Sequence, residues 1–69
     1  MSRRADPLRI YAAQRAGMVR RLVEAFAMTE ERAEASIRAW EQEAERCGVR
    51  PLETGYWTRA EAWMLERRR

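Results

Sequence analysis

Ala33, Ile37, Trp40, Ala44 and Cys47 recur at steps of four, three, four and three residues. An α-helix puts such a set on one narrow line, and a line that narrow suits close packing against another helix. No other feature of the 69 residues constrains the fold as strongly. Its boundaries are written beside it. Thr29 stands where a helix N-cap belongs, and Glu30 and Glu31 fall in the first turn, where the helix dipole favours acids. After Cys47 the chain reads "GVRP". Gly48 suits the left-handed conformation, Val49 is placed to touch Ala44, and Pro51 bars continuation. A helix over 30–47 is expected, with Cys47 on its packed side.

Such a helix needs partners, and the flanking segments supply them. In "ADPLRIY" Asp6 can cap free backbone N–H groups, and Pro7 suits the first helical position. At 100° per residue Leu8, Tyr11, Ala12, Val19, Leu22, Val23 and Phe26 share a wide face, with Ala16 and Met18 at its edges. A helix over 7–27 follows, broad enough to touch two others. The last segment has two possible starts. Thr58 with Glu61 makes a formal capping box. A start at Thr54 instead gathers Tyr56, Trp57, Ala60, Trp63 and Met64 within about a third of the wheel. Burying two Trp and a Tyr outweighs one cap, which contributes ~1 kcal/mol. Thr54 is therefore the expected cap, and the third helix is expected over 55–66. The expected fold is all-α, a compact three-helix bundle in a single helical domain over 1–69, with residues 1–5 as a flexible basic arm.

A chain this short buries only about 60% of its unfolded surface. A single core of that size seldom supplies more than ~3–5 kcal/mol without a staple. One cysteine and no histidine rule out an internal disulfide and a Cys/His zinc site. No metal and no cofactor are expected. Catalysis also lacks parts: there is no His base, the one Asp is a cap, and Ser2 and Ser36 have no base nearby in sequence. No apolar run approaches the ~20 residues a membrane span needs. A lone thiol fits a reducing, cytoplasmic setting. The cations are 14 arginines with no lysine, a usage that suggests a GC-rich bacterial or phage genome.

Charge is unevenly laid out. The net is +5 over residues 1–23, −4 over 24–48 and +2 over 49–69. The acidic middle can neutralise its basic neighbours inside one bundle. Glu30, Glu34, Glu41 and Glu45 form a stripe along one edge of the second helix, and Glu34 with Arg38 is an ordinary helix pair. Arg15 falls inside the apolar stripe of the first helix. An unpaired buried charge is too costly, so Arg15 must either snorkel to water or meet Glu34 or Glu41.

Two surfaces are left for function. Ile10, Ala13 and Gly17 make a small, partly apolar back on the first helix, suited to another protein or to a weak homodimer. Arg3, Arg4, Arg9, Arg20 and Arg21 could contact phosphates, which makes a DNA-binding accessory protein the alternative. Against it, the second helix is acidic, and no zinc-finger, RNP-like or phosphate-loop motif is present. A stacking platform for bases needs exposed aromatics, whereas Trp57 and Trp63 are expected in the core. The function expected is a non-enzymatic helical protein–protein interaction module.

Overall fold

The computed structural model describes residues 6–68, and the proposed arm at 1–5 lies outside them. Three helices fold into a bundle: α1 (Pro7–Ala25), α2 (Glu30–Cys47) and α3 (Tyr56–Arg68). α2 is the centre of the packing and contacts both α1 and α3.

The local signals act where the side chains allow. Asp6 accepts the Leu8 N–H at 3.0 Å, and Pro7 opens α1. The Thr29 hydroxyl accepts the Arg32 N–H at 3.1 Å. At the end of α2, Gly48 has φ +77, and the Val49 N–H reaches back to the Ala44 carbonyl at 2.8 Å. That pattern closes the last turn of a helix, and it lays Val49 over the core.

Several boundaries differ from the sequence reading. α1 stops at Ala25 rather than 27, because Ala27 takes a positive φ of 57° that no right-handed helix allows. α3 begins at Tyr56, and neither Thr54 nor Thr58 caps it. Its first helical hydrogen bond runs from the Arg59 N–H to the Gly55 carbonyl at 2.9 Å, with Gly55 at φ +86. The preceding chain is held by a turn in which the Glu53 N–H bonds the Arg50 carbonyl at 3.1 Å. Leu52 sits at the third position of that turn with φ +71, where Gly or Asn is usual.

The core comprises Met18, Val19 and Leu22 from α1, Ala33, Ile37, Trp40 and Ala44 from α2, and Tyr56, Ala60 and Met64 from α3. The α2 seam is therefore buried through its first four members. Cys47, expected on it, is exposed instead. The chain turns just beyond it, and Val49 packs against the core. On α1 most of the expected stripe faces inward: Val19 and Leu22 are buried, and Tyr11, Val23 and Phe26 pack against the core. Met18, at the edge of the stripe, is buried as well, and Arg15 is half-buried, while Ala12 and Ala16 are exposed. Leu8 is 79% exposed, so the first turn of α1 projects past the packed part of the bundle. On α3 the small Ala60 is buried, and Trp57 and Trp63 are only half-buried at the edges.

Candidate functional surfaces

Arg15 organises the polar contacts between α1 and α2. Its Nη1 donates to Glu34 Oε1 at 2.7 Å and its Nε to Glu41 Oε2 at 3.0 Å. The two alternatives read from the sequence are thus realised together. Glu34 and Glu41 stand two turns apart on one edge of α2, and the guanidinium fork spans them. Glu34 is consequently bound to Arg15 rather than engaged with Arg38. Burial opposes the charge on Arg15, but hydrogen bonds to Glu34 and Glu41 outweigh it and raise its pKa.

The same carboxylate serves a second donor. Tyr11 Oη donates to Glu41 Oε2 at 2.6 Å and lies 3.0 Å from Tyr56 Oη. A phenol has one proton, and a carboxylate can only accept. The Tyr11 proton therefore goes to Glu41, and Tyr56 donates to Tyr11. The result is a relay from Tyr56 through Tyr11 to Glu41, with Arg15 closing on Glu34, and it ties all three helices. Trp57 stacks on Tyr11 with centroids 5.4 Å apart, and its Nε1 donates to Gln14 Oε1 at 2.9 Å. The relay offers no free base, because each carboxylate already holds the guanidinium.

Burial, the bond to Glu41 and the contact with Tyr56 push the Tyr11 hydroxyl well above the ordinary tyrosine value of 10.0. The unfolded phenol ionises near pH 10, while the folded one keeps its proton. This contribution to stability is complete below about pH 10 and is lost as pH rises above it. Tyr11→Phe should flatten the alkaline fall in stability while leaving its slope near neutrality unchanged. Urea unfolding at a series of pH values from 7 to 11 reads this directly. An alkaline limb that survives in Tyr11→Phe would assign the effect elsewhere.

Cys47 has little nucleophilic character. Its thiol donates to Glu43 Oε2 at 3.2 Å, and that bond, with some burial and the nearby negative charge, raises its pKa. Among the described residues no group of three or more His, Cys, Asp or Glu side chains lies together to hold a metal ion. No helix among them is long and apolar enough to cross a membrane.

The two surfaces expected to bind partners lie mostly on α1. Ile10, Ala13 and Gly17 are all exposed along one side of the helix. Of the arginines, Arg3 and Arg4 lie outside the described residues, and Arg9 and Arg20 are exposed. Arg21 is engaged: its Nε donates to Glu61 Oε1 at 2.6 Å and its Nη2 to Glu61 Oε2 at 3.2 Å. These bonds raise the Arg21 pKa and hold Glu61 below the ordinary carboxylate value. The guanidinium also sits 5.6 Å from the Phe26 ring centroid.

A third surface lies beside Trp63, whose expected burial left no stacking platform there. Trp63 stands between two grooves. One, of about 250 Å³ between α2 and α3, includes Arg32, Ser36, Arg67 and Arg68. The other, of about 830 Å³ along α3, includes Arg59, Leu65, Glu66 and Arg68. The signal that pointed to it was the spacing of Arg32 with Ser36 and of Trp63 with Arg67, each one helical turn apart. Placing Trp63 in the core concealed it. Compared with family models, with curated proteins and with solved structures, the chain matches none.

Proposed function

We propose that the protein is a non-enzymatic helical interaction module that binds another protein, or a second copy of itself, through the outward side of α1. One observation carries this reading. Ile10 is 38% exposed beside Ala13 and Gly17, and a Cβ at Gly17 would meet nothing within 4 Å. Another backbone can approach there without obstruction. Glycine in a helix interior costs about 1 kcal/mol relative to alanine, and close approach of a partner offsets that cost.

Arg9 and Arg20 flank the strip. Two such helices repel, and salt screens that repulsion beyond ~10 Å at 0.1 M. A weak homodimer through this side should therefore tighten as salt rises. Gly17→Arg should abolish it by adding bulk and charge to the point of closest approach. Sedimentation equilibrium on the parent and the variant, at low and moderate salt, is the measurement. A parent that stays monomeric at high micromolar concentration ends the self-association form of the proposal, and so does a dimer indifferent to Gly17→Arg. DNA binding through the α1 arginines is the weaker proposal, because Arg21 is already committed to Glu61. It would weaken with salt, the opposite dependence.

A further inference from the structure

We infer that the two grooves beside Trp63, on the side of the bundle formed by α2 and α3, bind single-stranded nucleic acid. This surface is separate from the outward side of α1.

The charge is one-sided. Arg32, Arg59, Arg67 and Arg68 line the two grooves against a single acid, Glu66. Among the described residues none of the four arginines pairs with a carboxylate, whereas Arg15, Arg21 and Arg46 all do. Arg9, Arg20, Arg38 and Arg50 are likewise without a carboxylate partner among the described residues, so what marks the four is their gathering in two adjoining grooves. The Ser36 hydroxyl, one turn from Arg32, adds a neutral donor in the narrower groove. Guanidinium forks with a hydroxyl form a donor set that holds phosphate oxygens.

The arrangement suits a linear polyanion better than one phosphate. Arg68 belongs to both grooves, so the cations continue from one to the other past Trp63. The units between the phosphates should be flat and apolar-faced. Trp63 is half-buried, with one side against Trp40 at a centroid distance of 5.8 Å. The Arg67 guanidinium carbon lies 4.6 Å from the Trp63 ring centroid. Unpaired bases stack on aromatic rings and on arginine guanidinium planes. Leu65 and the Trp63 edge give the wider groove an apolar wall. A duplex would present phosphates to these arginines but no base face to Trp63.

The test uses the full chain and a fluorescein-labelled 12-residue oligothymidylate, followed by anisotropy. Three neutralised phosphates on a single strand give a slope of about −2 in log K against log salt, so affinity should fall about 20-fold between 50 and 200 mM salt. Arg68→Glu, at an exposed position, should weaken binding at least about tenfold, the loss expected for one charge-assisted contact. Arg38→Glu makes the same change in net charge outside the grooves and should bind as the parent does. Circular dichroism of each variant establishes that it is folded, and Arg32→Glu repeats the test should Arg68→Glu fail to fold. Three results would overturn the inference. The first is no binding at 50 mM salt. The second is equal binding of a duplex or of inorganic polyphosphate of matched charge, which would leave the bases with no part. The third is a loss seen with Arg20→Glu on α1 and not with Arg68→Glu.

Discussion

Trp40→Ala should leave the chain largely unfolded at room temperature. Trp40 is 3% exposed at the middle of α2. Its ring meets Tyr56 edge-on at 5.5 Å and Trp63 at 5.8 Å, so it is where α2 holds α3. Truncating a buried Trp costs ~3–5 kcal/mol. A core this small supplies about the same total. Trp40→Phe should behave differently. The indole Nε1 is buried without an acceptor among the described residues, and a buried unsatisfied donor costs ~1–3 kcal/mol. Phenylalanine loses ring area but removes that donor, so a cooperative melt should survive. Far-UV circular dichroism against temperature separates the two variants. A Trp40→Ala melt near that of the parent would show that Trp40 is not the centre of the bundle.

The seam that contains Trp40 was the most legible part of the sequence. A narrow apolar line with caps at both ends has one economical solution, and α2 adopts it. The flanking helices were legible as helices and less so in orientation. On α1 the wheel held Arg15 within the apolar stripe and left it either to reach water or to meet Glu34 or Glu41; both carboxylates take it. The line through Arg15 therefore faces α2, and Met18, placed at the edge of the stripe, is buried with it. That one guanidinium holds two acids is a tertiary fact that single-helix periodicity does not contain. On α3 Tyr56, Ala60 and Met64 are buried as the stripe implied, but Trp57 and Trp63, expected beside them, are only half-buried. A small residue at a contact lets helices approach closely, and large rings then pack at the rim. The start of α3 was missed for a backbone reason: Gly55 takes a positive φ and supplies the first helical carbonyl itself, so no threonine cap forms.

The same error decided what was visible of the functional surfaces. Ile10, Ala13 and Gly17 stood out because small residues in a helix interior need a reason. The arginines of α1 stood out by their number, yet Arg21 is bound to Glu61, a contact set by how α1 and α3 sit together. The four arginines beside Trp63 are scattered between positions 32 and 68 in the chain. The antiparallel run of α2 and α3 assembles them. Wheel positions place residues around one helix and cannot align two helices lengthwise.

The polar relay carries the second large effect, and it should be unequal between its two acids. Glu41 Oε2 accepts from both Tyr11 and Arg15, whereas Glu34 Oε1 accepts from Arg15 alone. Glu41 is also the more sheltered, at 30% side-chain exposure against 38%. Hydrogen bonds to charged groups contribute ~1.5–3 kcal/mol each, less where water can replace them. Glu41→Ala should therefore cost about 2 kcal/mol, because Tyr11 loses its acceptor and Arg15 loses half of its partners. Glu34→Ala should cost under about 1 kcal/mol. Arg15→Met should be nearly neutral, since it removes the desolvation cost together with the charge. Arg15→Met combined with Glu41→Ala should then be non-additive by ~1 kcal/mol or more, and combined with Glu34→Ala by less. Urea midpoints for the four single and double combinations at each acid give both coupling energies. Equal costs at Glu34 and Glu41, or additive effects in both cycles, would mean that Glu41 does not join the three helices and that the arginine merely rests at the edge of α2.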